Sequence, residues 1–214
     1  MDIHSTQGHT GALAYLERAA ALAKGEKWAE MLTLADECQA RYPFPAEWIR
    51  AQVHHRGGRL DVAIQCYERA LAASAGTPGA ESAEMRDSIA RTWYGLARCF
   101  IESERVHLAI DPLQRATRLQ PGVHDIWRDL GVARMMTGQA TGDVAMIKAA
   151  HEPLKQACDL EPTNIGSWNA LGGLYAMFNI QSGVKQVFDA LMRIDAQAAM
   201  QFRDNVVALQ SAEP

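Results

Sequence analysis

A tryptophan-led pattern occurs three times along this chain, and its spacing limits the possible fold more than any other property. Trp168 is followed by Leu171, Gly172 and Tyr175, Trp127 by Leu130 and Gly131, and Trp93 by Leu96, Ala97 and Phe100. Thirty-four residues separate Trp93 from Trp127, and 41 separate Trp127 from Trp168. Self-similarity at a period of about 20–50 residues is the mark of stacked supersecondary units, each unable to bury its apolar face alone. The seven extra residues of the second interval are close to two helical turns, so an insertion of that length keeps an apolar helix face in phase.

Each copy has a second half. Ala109, Leu113, Ala116 and Pro121 follow Trp93; Ala150, Leu154, Ala157 and Pro162 follow Trp127 seven residues late; Phe188 and Leu191 follow Trp168. Small residues such as Gly131, Gly172, Ala109 and Ala150 let two helices approach closely, while the large apolar residues at helical spacing form the stripe that fills the gap. Pro121 and Pro162 end a helix, because proline lacks the amide N–H and pushes the preceding residue out of helical geometry. These residues at these offsets resemble the tetratricopeptide repeat. Arg134 departs from the pattern where an aromatic is usual, and Val184 and Ala196 stand where alanine and proline are preferred, as expected of a drifting terminal unit.

Upstream, Ala63, Tyr67, Ala70 and Leu71 make a good second helix with Trp48 opening its partner, and two alanine- and leucine-rich stretches, Leu13 to Ala23 and Trp28 to Ala40, break at Lys24-Gly25-Glu26. The resemblance covers roughly residues 12 to 196 and is strongest from Ala90 to Pro162. It implies an all-α fold, an α-solenoid of antiparallel helix pairs with about five repeats, the first degenerate, and a C-terminal capping helix. The expected units are residues 12–44, 45–77, 78–123, 124–164 and 165–197, with a cap over 198–210, all in a single superhelical domain at 12–214. Residues 1–11, polar and glycine-containing, are expected to be flexible. The cap presents Phe202, Val206 and Leu209 to the stack and turns Arg203, Asp204 and Asn205 outward.

Two insertions interrupt the period. Ala63 and Ala109 lie 46 residues apart, and the excess falls after Thr77-Pro78-Gly79, a turn sequence. The periodicity of Met85, Ile89, Trp93, Leu96, Ala97 and Phe100 predicts that this insertion lengthens the next helix at its start. In the following unit Gly138 to Asp143 is expected to turn, and Met146, Ile147, Ala150, Leu154 and Ala157 to run down one stripe. Both additions either project within reach of a partner or are ordinary loop variation.

Composition removes several function classes. A net charge of −4 with pI near 6.0 argues against non-specific nucleic-acid binding, which needs a basic face. Apolar runs are interrupted by charge, and Met1-Asp2-Ile3-His4-Ser5 lacks the basic and apolar segments of a leader, so neither membrane nor secretion is expected and the default compartment is the cytoplasm. Cys38, Cys66, Cys99 and Cys158 stand singly and read as packed thiols, with no metal site. The His54-His55 pair, neighbours on a helix, points two ways and reads as one solvated and one packed residue. No phosphate loop, nucleophile elbow or zinc-protease helix is present, so no enzymatic role, catalytic residue or cofactor is expected.

In the tetratricopeptide family the first helix of each unit lines a concave groove that takes peptides or partner helices. The groove offsets fall on Arg91, Tyr94 and Arg98, on Arg128 and Val132, and on Asn169 and Gly173. Arginine offers carboxylate a planar bidentate fork, which suits an acidic or C-terminal peptide segment; equally, these arginines can be a solvated face paired with neighbouring acids. The lysine and asparagine set with which some family members hold chaperone tails is not reproduced. The expected role is a non-catalytic, chaperone-like adaptor or scaffold binding a protein or peptide partner; an accessory or recognition subunit of an enzyme whose catalytic domain is on another chain is the other reading. A homodimer would show as twice the 23.5 kDa chain mass.

Overall fold

The computed structural model describes residues 3–77 and 82–211, with backbone alone considered for residues 3–10 and 210–211. Every regular element among the described residues is a helix. In chain order they are α1 (Ile3–Lys24), α2 (Trp28–Cys38), α3 (Pro43–Arg56), α4 (Leu60–Ser74), α5 (Ala83–Glu102), α6 (Val106–Leu119), α7 (His124–Thr141), α8 (Val144–Lys148), α9 (His151–Leu160), α10 (Ile165–Met177), α11 (Gln181–Ile194) and α12 (Ala196–Ser211). Sequential helices pair as antiparallel hairpins, giving α1–α2, α3–α4, α5–α6, α7 with α8–α9, and α10–α11, with α12 following as the cap. This is the all-α solenoid of helix pairs that the 34-residue spacing predicts. Helix α1 begins at Ile3, so residues 3–11 of the N-terminal segment expected to be flexible are helical backbone.

Two compact units divide the chain between Gln120 and Pro121. In the first, α1 to α6, Met31, Phe44, Ile49 and Met85 are fully buried among alanines and leucines of neighbouring helices. Met85 lies in the first turn of α5, which Ser82 caps by accepting the Met85 amide at 3.1 Å. The insertion ahead of Trp93 therefore lengthens α5 and fills core; residues 78–81, where the Pro78-Gly79 turn was expected, lie outside the described residues.

In the second unit Leu154, Leu171, Val187 and Leu191 form the centre of a core that α12 closes with Ala199, Phe202 and Val206. The small residues do what their spacing predicts. A Cβ on Gly131 would lie 2.5 Å from the Leu154 side chain, and one on Gly172 2.3 Å from the Phe202 ring, so only glycine permits these approaches. Trp127 and Trp168 each donate the indole N–H to the carbonyl of the proline six residues earlier, Pro121 and Pro162, at 2.8 Å. Each tryptophan thus fixes the entry of its helix as well as packing against it.

Two expectations are corrected. Leu209 stays 54% exposed although its spacing of seven from Phe202 keeps it on the same helix face; it lies in the last turn of α12. The stripe from Met146 to Ala157 is not one helix: α7 continues through Gly138 to Thr141, Gly142 turns with φ +71°, and α8 and α9 are separated at Ala149 and Ala150. Pro153 explains the break, since it has no N–H for the carbonyl of Ala149 four residues back and its ring crowds that group. Arg134 supplies the missing donor, its guanidinium reaching the Ala149 carbonyl at 2.8 Å. The departure at Arg134 and the insertion are therefore one adaptation.

Candidate functional site

In the first unit the last turns of α3 and α5 and the α1–α2 turn enclose an open cleft of about 440 Å³. Its polar lining is Gln52, His55, Arg56, Arg98 and Glu102, and Ala23 and Trp28 form an apolar wall. Helix periodicity places the pieces: Gln52, His55 and Arg56 are three and four residues apart on α3, and Arg98 and Glu102 four apart on α5.

A chain of hydrogen bonds crosses the cleft. Gln52 Nε2 donates to the Tyr67 hydroxyl at 2.8 Å, and that hydroxyl lies 3.5 Å from His55 Nδ1. His55 Nε2 is 3.0 Å from Glu102 Oε2, and an Arg98 nitrogen donates to Glu102 Oε1 at 2.8 Å. Burial drives the Tyr67 pKa far above its ordinary value, so the hydroxyl keeps its proton. With Gln52 donating to it, the hydroxyl proton is directed to His55 Nδ1, which leaves the Nε2 proton for Glu102. Tyr67 is fully buried because Gly95 allows it: a Cβ there would lie 2.6 Å from the phenol.

Of the sequence-predicted residues, Arg98 is in this cleft. Arg91 is an exposed residue on the same helix, its guanidinium 2.5 Å from Asp87, and Tyr94 is partly buried between them in sequence. Arg128 and Val132 lie on α7 and Asn169 and Gly173 on α10, in the second unit. Arg128 contacts Asp125 at 2.5 Å and Asp129 at 2.8 Å, Asn169 is exposed, and a Cβ on Gly173 would meet nothing within 4 Å. Each of the three arginines thus pairs with an acid on its own helix. Sequence reasoning missed Trp28, Gln52, Arg56 and the partnership of His55 with Glu102. The Arg98–Glu102 spacing was readable; the His55–Glu102 contact spans 47 residues and had no local signal.

All four cysteines are free and buried, with burial pushing Cys38 up to about 11 and Cys99 and Cys158 up to about 12. They are packed thiols, as their isolation in the sequence suggests. His54 and His55 are both partly buried, not one solvated and one packed, and His55 lies against Tyr67 of α4 and Glu102 of α5. Burial, then Arg59, Arg69 and Arg50, lowers the His54 pKa. Among the described residues no group of three metal-ligating side chains occurs, and no helix is long and apolar enough to cross a membrane.

Residues 48–76, the hairpin α3–α4 from Trp48 onward, match the sequence profile of a tetratricopeptide repeat. No curated protein sequence matches the chain. Several solved structures share the fold. YrrB, described as a tetratricopeptide repeat protein with an unusual peptide-binding site, is 19% identical, with a TM-score of 0.69 over 90% of this chain and 92% of its own. MamA AMB-1 is 15% identical, with a TM-score of 0.64 over 87% of this chain and 93% of that one. MamA from Desulfovibrio magneticus RS-1 is 16% identical, with a TM-score of 0.58 over 94% and 96%. The chain thus carries one matched tetratricopeptide repeat, at residues 48–76, within a fold that it shares with solved tetratricopeptide repeat structures.

Proposed function

We propose that this chain is a non-catalytic adaptor or scaffold that binds a peptide or a segment of a partner protein, acidic or C-terminal in character, along the first helices of its repeats. The cleft between α3 and α5 carries the reading. It is open, it sets two arginines against one glutamate, and it has an apolar wall at Trp28 for a neighbouring side chain. A rigid helical scaffold holds these groups at little ordering cost, which is how repeat surfaces gain affinity for extended segments. Likeness to a peptide-binding repeat protein supports the same class of partner.

Arg91, Tyr94 and Arg98 form the contact strip of the first unit, and Arg128, Val132, Asn169 and Gly173 that of the second. Intrahelical pairing of the exposed Arg91 and Arg98 does not preclude this role, since exposed ion pairs contribute only about 0–1 kcal/mol and exchange readily for a ligand carboxylate. Affinity capture from native lysate tests the proposal. Arg98→Ala with Arg128→Ala should lose the partner that the wild-type chain retains, and equal capture by both forms removes these residues from the site.

A further inference from the structure

The placement of Glu102 points beyond a passive cleft. Its carboxylate receives the guanidinium of Arg98 at 2.8 Å on one oxygen and the imidazole of His55 at 3.0 Å on the other. Those are the two donors that an incoming carboxylate would use, held in an opening that solvent reaches. Among the described residues the Glu102 carboxylate makes no other hydrogen bond or ion pair, and the side chain remains 38% exposed.

Its position on the helix is also unfavourable. Glu102 is the last residue of α5, where the unpaired carbonyls concentrate partial negative charge, and no basic residue lies in that last turn to offset it. A carboxylate there is repelled by its own helix and is kept in place by Arg98 and His55. Arg56 ends α3 across the cleft and makes no ion pair among the described residues. The cleft thus carries more cationic than anionic charge with Glu102 in place, and still more with Glu102 swung out.

We propose that Glu102 is a built-in competitor that occupies Arg98 and His55 in the free protein and is displaced when the carboxylate of a bound peptide segment takes its place, with Arg56 completing the fork. The inference rests on the peptide-binding reading above and adds its regulation. Affinity is set by an exchange of one carboxylate for another, so it is lower than the cleft's donors alone would give. The Tyr67–Gln52 arm keeps His55 in the donating tautomer throughout, because it does not involve Glu102.

Fluorescence polarisation with a fluorescein-labelled heptapeptide of alternating leucine and glutamate tests this. The same peptide with an amidated C-terminus separates side-chain carboxylates from the chain terminus, and a leucine–glutamine version is the uncharged control. Glu102→Gln and Glu102→Ala should each tighten binding of the acidic peptide about three- to tenfold, while Arg98→Gln weakens it in both backgrounds. Two variants are used so that an effect of the new amide alone is recognised, and far-ultraviolet circular dichroism checks that both are folded. Binding unchanged or weakened in both Glu102 variants, with Arg98→Gln still harmful, overturns the competitor and leaves the site. Failure of wild type and both Glu102 variants to prefer the acidic peptide over its glutamine version overturns the site and the competitor together.

Discussion

In the first unit a carboxylate lies inside the packing: Glu47 is 8% exposed and held by Arg50 at 2.8 Å and Arg69 at 2.7 Å, with Asp36 on the far side of Arg50 at 2.7 Å. Gln39 also hydrogen-bonds Arg50, so α2, α3 and α4 are joined through two guanidinium groups, those of Arg50 and Arg69, that share the Glu47 carboxylate. In the second unit the pairs Lys185–Asp189 and Arg203–Asp204 lie on the solvent side of α11 and α12, and the core is apolar. Ser167 and Thr137 are the buried polar residues there, and the half-buried Arg134 guanidinium serves the backbone. The contrast shows that one repeat architecture tolerates two ways of joining helices, by a partly buried charge network or by apolar contact with close glycines.

The largest effect that would sharpen this contrast is expected at Glu47. Glu47→Gln leaves Arg50 and Arg69 facing a neutral amide in a part-buried site, and should cost about 3 kcal/mol, read as a lowered urea midpoint. A loss no larger than that at an exposed pair would mean that the network is not structural and the contrast is broken. Arg134→Met comes next. It leaves the Ala149 carbonyl to water at an exposed contact and should cost about 0.5–1 kcal/mol in urea unfolding. Combining it with Pro153→Ala, which restores an N–H to that carbonyl, should recover most of the loss; no recovery would detach the helix break from the proline. At the small end, Asp189→Asn removes a fully surface pair and should shift stability by less than about 0.5 kcal/mol, and a larger loss would show that the second unit also depends on charge.

The hairpins α5–α6 and α7–α9 show how far the sequence could be read. Both place proline one residue before the core leucine, Pro112 before Leu113 and Pro153 before Leu154, and both bury that leucine fully. The helix pairing, the core alanines and the capping helix followed from periodicity, because burial selects residue size at fixed offsets. What differed between the two hairpins was not legible. Pro112 sits within an unbroken α6, whereas Pro153 follows a break whose Ala149 carbonyl takes a guanidinium from α7. The candidate site was legible only in part for the same reason. Arg98 came from a helix offset, but the cleft exists because His55 and Glu102 meet across two repeats, and tertiary pairing of polar groups carries no periodic signal.

The indole bonds of Trp127 and Trp168 bear on how such a chain can be lengthened, shortened or cut. Because each tryptophan is anchored to a proline carbonyl that formally closes the preceding unit, a break placed after Pro121 or Pro162 separates a donor from its acceptor, while one placed just before keeps the pair intact. The transferable module therefore starts at the proline. Duplication, truncation or grafting of these repeats should respect that phase, which the Gln120–Pro121 boundary already follows.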